Sequence, residues 1–176
     1  GVNSEVPITY HTTDLPVFDS NLHAMSAALN STCVLAHVRG VDMSHDAQIG
    51  PQNLHPFAFS GTRMVFAHNG DLACFREMRF SLLEYIKPQI AEQISGSTDS
   101  EWIYAVCLSQ FDNPGRQQEP MEIVRALTKT LEIIRKVRDR LGIRTSSSAN
   151  LFVADGENLV ATRFAFDFGC YGNDVS

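Results

Sequence analysis

Two short, apolar, β-rich runs constrain this chain most: Cys33-Val34-Leu35-Ala36-His37-Val38, which stops at Arg39, and Val65-Phe66-Ala67-His68, which stops at Asn69-Gly70. Runs of this length, bounded by polar and turn residues, are expected to be strands buried in a core. Farther on, Gly96-Ser97-Thr98-Asp99-Ser100-Glu101 opens a helical pattern. Arg39, Asn69 with Gly70, and Asp99 are therefore expected at the ends of three core elements, where together they could hold one small amide substrate.

The remaining segments read as an α+β order rather than a strict strand–helix alternation. Residues 6–10 and 15–18 read as short extended pieces, and Asp19 or Ser20 is placed to cap a helix through Leu22, Met25, Ala28 and Leu29. A long loop from Gly40 to Gly61 carries Gly50-Pro51 and His55-Pro56, and loops of that length are usually functional or mobile. The second core strand is expected over 63–68, followed by a helix from about Phe75 to Ile86, broken by Pro88. Ser97 or Thr98 caps the next helix, with Glu101 placed to complete a capping box with Thr98. Asp112-Asn113-Pro114-Gly115 is a turn.

After Pro120, Val124, Leu127, Leu131, Ile134, Arg138 and Leu141 recur at helical steps, a core-facing stripe that Arg138 interrupts. Gly142 ends that helix, and Ser146-Ser147-Ser148 reads as loop. Segments 150–154 and 158–164 read as two strands joined by an Asp155-Gly156 hairpin.

The bulk numbers narrow the function classes. At 176 residues the length is that of a single domain over 1–176. With a net charge of −6 and no concentrated basic face, a nucleic-acid partner is not expected. No stretch approaches a membrane span, so no membrane partner is expected either. The four cysteines, Cys33, Cys74, Cys107 and Cys170, are scattered without a C-x-x-C pair, which favours a reducing, cytoplasmic setting. The six histidines show no metal-ligand spacing, so neither a metal nor another cofactor is expected.

Each candidate residue has an ordinary reading when taken alone. Asn69-Gly70 is a common turn dipeptide, Arg39 suits a surface ion pair, and Asp99 interacts favourably with a helix N-terminus. His37, His55 and His68, each flanked by apolar residues, read as core or loop histidines. As a set they say more. An arginine fork binds a carboxylate, an aspartate binds an ammonium, and an Asn side chain beside a Gly backbone N–H makes an oxyanion hole. That combination suits glutamine or a γ-glutamyl group.

At these residues the sequence resembles the class II glutamine amidotransferase domains of the N-terminal nucleophile hydrolases. The matching pieces, in the family's order, are Leu35-Ala36-His37-Val38-Arg39, Asn53-Leu54-His55-Pro56-Phe57, Phe66-Ala67-His68-Asn69-Gly70 and Gly96-Ser97-Thr98-Asp99-Ser100-Glu101. The wording is most similar to the stand-alone branch of γ-glutamyl hydrolases of ergothioneine biosynthesis and fungal glutathione degradation. The resemblance implies a four-layer αββα sandwich. It also implies that Arg39 holds the substrate α-carboxylate, Asp99 the α-amino group, and Asn69 with Gly70 the oxyanion.

Family catalysis uses an N-terminal cysteine whose own α-amine is the general base, and whose thiolate forms a glutamyl-thioester that water resolves. Here the chain begins Gly1-Val2-Asn3 and ends just past Tyr171-Gly172-Asn173-Asp174, so the sandwich is expected to be incomplete at both ends. Cys74 is the cysteine nearest the oxyanion hole but lacks an adjacent α-amine. The expectation is a piece of a longer γ-glutamyl amidohydrolase with its nucleophile upstream. Two alternatives stand beside it: a split protein whose partner subunit supplies the cysteine, and a non-catalytic subunit that binds γ-glutamyl ligands.

Overall fold

The computed structural model describes residues 6–40 and 50–168. Gly1, residues 41–49 of the long loop, Cys170 and the 171–174 end lie outside the described residues.

Helix α1, Ser20–Ala28, is capped by Asp19, whose side chain accepts the Leu22 N–H at 3.0 Å. Upstream, Pro16–Phe18 forms a 3₁₀ turn rather than an extended piece. The first expected core strand is not one: residues 33–38 pair with no other described strand. Cys33, Leu35 and His37 are half-buried, while Val34 and Val38 are exposed. The apolar run carries strand propensity, but a strand needs a partner ladder.

Strand β1 spans Val65–Asp71, so Asn69 and Gly70 lie inside the strand and not in a turn beyond it. The correction follows from pairing. Asn69 faces Asn150 and Gly70 faces Ala149 in antiparallel register with strand β2, Ser147–Ala154. Ser147 and Ser148 therefore belong to a strand and not to the expected loop. Strand β3 is Leu159–Ala161 and β4 is Ala165–Phe166, both antiparallel to β2, so the expected 158–164 strand shortens to three residues and a second short segment follows it, beyond the expected end. The Asp155-Gly156 hairpin forms, with Asp155 Oδ1 accepting the Glu157 and Asn158 amides at 3.1 and 2.8 Å.

Helices cover the face of the sheet that carries Ser147, Ala149, Leu151 and Val153. They are α2, Phe75–Leu83, α3, Pro88–Ala91, α4, Asp99–Leu108, and α5, Pro120–Arg140, with α4 against β1 and α5 against β3. Helix α2 stops three residues short of the expected Ile86. Every residue of α4 after Asp99 is buried, which makes it the central helix of the core. Its Tyr104 ring stacks on Phe66 at 5.3 Å and donates its hydroxyl to the Met64 carbonyl at 2.7 Å. Burial pushes that phenol's pKa up, and pushes the neighbouring Cys107 thiol up to about 12.

The inward stripe of α5 is Ile123, Leu127, Thr130, Ile134 and Val137, rotated slightly from the expected one: Val124 and Leu141 face solvent. Arg138 does not interrupt the stripe but is buried within it. The capping box also moves. Thr98 Oγ1 accepts the Glu101 N–H at 3.3 Å, but Glu101 turns to the Ser95 and Gly96 amides. A reciprocal box forms instead at α5, where the Glu119 N–H reaches the Glu122 carboxylate at 2.9 Å.

Candidate active site

Three short-range connections gather the motifs. Phe57 and Phe66 exchange backbone hydrogen bonds of 2.8 and 2.9 Å, fastening the Asn53–Phe57 segment to β1. Asn53 Oδ1 accepts the Ser97 N–H at 2.9 Å, fastening the same segment to the turn before α4. Gly96 permits that approach, since a Cβ there would lie 2.4 Å from Asn53 Oδ1 and 2.7 Å from the Gln52 carbonyl oxygen. The third link is Asp99, whose Oδ2 accepts the Leu72 N–H at 2.7 Å.

Asn53, Leu72, Ser97 and Asp99 from these links line a cavity of about 1340 Å³. Arg39, His55, Asp71, Cys74 and Asp99 are among its walls. Alternation along β1 explains the side of the sheet it opens on. Val65 and Asp71 line it, and Asn69, at the same parity, shares their face with its side chain exposed. His68 points the other way, into the helical layer, where Nδ1 meets Ser100 Oγ at 3.0 Å and Nε2 meets the Ser148 carbonyl at 3.2 Å. It is a satisfied core histidine. Gly70 has no room for a side chain: a Cβ would fall 2.1 Å from the Ser148 carbonyl oxygen and 2.7 Å from His68 Nε2, on a backbone with φ +156°.

The electrostatics tie the residues together. Burial, then the neighbouring Asp99 charge, raises the Asp71 carboxyl above its ordinary value, while His68 and Arg39 pull it back down. His55 is buried and packs against His37 with the rings tilted, 4.3 Å between centroids. Burial first, then the charges of His37, His68 and Arg39, lowers its pKa from 6.5 to about 3, so it stays neutral. Neither of its ring nitrogens has a hydrogen-bond partner among the described residues.

Arg39 and Asp99 thus share one cavity, whereas Asn69 and Gly70 are not among its lining residues and stand beside it on β1, whose Val65 and Asp71 line it. Asp99 is not a free carboxylate at a helix start, because its oxygens also accept the Leu72 and Ser100 amides. Sequence reasoning passed over Asp71, a second carboxylate in the cavity wall. The two-residue alternation from Asn69 would have found it once Asn69 was read as strand rather than turn. Of the two residues that hold the turn behind this wall, Ser147 gave no local signal, whereas Arg138 showed itself as a charge within the apolar stripe of its helix. Among the described residues no group of three or more His, Cys, Asp or Glu side chains could hold a metal ion, and no helix is long and apolar enough to cross a membrane.

The mixed helix-and-sheet fold, with its antiparallel sheet, matches the structure of a glutamine aminotransferase class-II domain protein from Silicibacter pomeroyi. The TM-score is 0.71 at 25% identity, over 94% of this chain and 67% of that one. The family described as class II glutamine amidotransferases matches residues 11–165, and the chain belongs to that family. The Saccharomyces cerevisiae protein described as probable glutamine amidotransferase DUG3 is 28% identical over an alignment of 158 residues that covers 83% of this chain. The chain spans only 43% of that relative's length.

Proposed function

We propose that this chain carries the substrate pocket of an enzyme that hydrolyses the γ-glutamyl amide bond of glutamine or a γ-glutamyl compound. The observation that carries the reading is the meeting of Arg39, Asp71 and Asp99 in one cavity beside the strand bearing Asn69 and Gly70. In this reading Arg39 pairs with the α-carboxylate, and Asp99 with Asp71 faces the α-ammonium. The Asn69 carboxamide and the Gly70 N–H receive the oxyanion. A cysteine thiolate outside this chain attacks the γ-carbonyl, and its α-amine passes a proton to the departing amine. Water then cleaves the thioester to glutamate and restores the thiol. The free cysteines Cys33, Cys74 and Cys107 fit a cytoplasmic setting. A partner subunit that receives the released amine fits the same reading.

The test is performed on the full-length protein. Incubation with an electrophilic glutamine analogue, followed by intact mass and peptide mapping, is expected to give one adduct outside residues 1–176, with glutamate released from γ-glutamyl amides. Glutamine binding without turnover or adduct would replace this reading with that of a γ-glutamyl-binding subunit.

A further inference from the structure

Among the described residues Arg138 is the largest fully buried side chain, and it is the cation of a helix face otherwise made of uncharged residues. Its guanidinium faces no carboxylate within ion-pair distance among the described residues, and its Nε has no partner. Taking a cation out of water is costly. Two kinds of contact offset that cost. The planar group lies over the Phe166 ring, 5.0 Å from its centroid. Its two terminal nitrogens reach oxygens on different segments: Nη1 donates to Ser147 Oγ at 3.0 Å and to the Ala73 carbonyl at 3.3 Å, and Nη2 donates to the Thr145 carbonyl.

Those contacts converge on one peptide. Ser147 Oγ also accepts the Ala73 N–H at 2.9 Å, so Ala73 is held at its amide by Ser147 and at its carbonyl by Arg138. One residue upstream, the Leu72 N–H is spent on Asp99 Oδ2. One residue further upstream is Asp71, in the cavity wall. The chain Arg138–Ser147–Ala73–Leu72–Asp99 therefore runs unbroken from the back of α5 to the pocket.

We infer that Arg138 is a positioning residue for the substrate pocket, acting through Ser147 and the Ala73 peptide to set the orientation of Asp71 and Asp99. This rests on the γ-glutamyl reading of the pocket. A lysine could not substitute, because a single ammonium cannot span Ser147, Ala73 and Thr145 in a fixed plane. A leucine would fill the apolar stripe and leave the Ala73 and Thr145 carbonyls without their donors.

Ser147→Ala and Arg138→Lys in the full-length protein test it, read by γ-glutamyl amide kinetics, thermal melting and hydrogen exchange at the Leu72 amide, which neither substitution touches. Ser147→Ala is expected to raise KM at least about fivefold with kcat within about twofold, and Arg138→Lys to act in the same direction and further. The double variant should be no worse in KM than Arg138→Lys alone, because both lie on one path. Faster exchange at Leu72 in both variants is expected. Lowered melting with unchanged KM and unchanged Leu72 exchange would overturn the inference and leave Arg138 a purely structural residue. If the wild type neither hydrolyses a γ-glutamyl amide nor binds glutamine, the functional reading fails on its own. Leu72 exchange then decides whether Arg138 and Ser147 position the cavity wall: faster in Ser147→Ala supports it, unchanged overturns it.

Discussion

Asp99 Oδ2 accepts the Leu72 N–H at 2.7 Å, so the carboxylate that faces the cavity also fastens the end of β1 to the start of α4. Its other oxygen takes the Ser100 N–H at 2.8 Å. The proposed binding role and the architecture share one side chain, and a substitution has to be read on both.

Asp99→Asn keeps one acceptor oxygen and loses the charge. Stability should fall by about 1–2 kcal/mol, from one weakened amide contact and the lost helix-terminus interaction. Affinity for glutamine should fall by at least about tenfold, because the ammonium loses a charged partner. Calorimetry with parallel denaturant melts separates the two, and unchanged affinity would remove Asp99 from the pocket.

Gly70→Ala tests the strand geometry. Its Cβ would stand 2.1 Å from the Ser148 carbonyl oxygen, a backbone atom that can yield only if β1 and β2 separate. A loss of more than about 2 kcal/mol is expected on chemical denaturation.

His55 predicts a pH dependence with a definite sign. Its folded pKa of about 3 lies below the ordinary 6.5, so between those values the unfolded chain binds a proton that the folded one refuses. Stability is therefore full above the upper value and falls as pH is lowered through the window. The loss near pH 4.5 should be roughly 2–3 kcal/mol from this residue. His37, also lowered by burial, adds in the same direction. His55→Leu should flatten the melting temperature against pH over that range, and a curve parallel to wild type would refute the assignment.

Glu122→Ala serves as a distant control. It removes the carboxylate that accepts the Glu119 amide at the start of α5. A cost of about 1 kcal/mol in stability is expected, with glutamine affinity unchanged.

Much of this molecule could be read before it was folded. Asp19 as a cap, the α4 and α5 helices, the Asp155-Gly156 hairpin and the family motifs all depend on residues close in sequence. Where reading failed, a distant partner decided. The 33–38 run has the composition of a strand and no ladder. Asn69-Gly70 has the composition of a turn but is held in β1 by Asn150 and Ala149. Ser147-Ser148 looks like loop and is strand for the same reason. Glu101 has the spacing for a capping box and spends its carboxylate on Ser95 and Gly96 instead.

The sequence by itself determined the chemistry available here: an arginine fork, an Asn-Gly donor pair and an aspartate at a helix start, in an order that marks the family. Tertiary structure alone decided that Asp71 joins the pocket wall, that His55 is buried neutral beside Arg39, and that Arg138 lies behind the Ala73 peptide. The physical reason is range. Side-chain chemistry and helical periodicity act over a few neighbouring residues, whereas these placements depend on contacts such as Arg138 with Ala73 and His68 with Ser100, which only the closing of the sheet against its helices brings together.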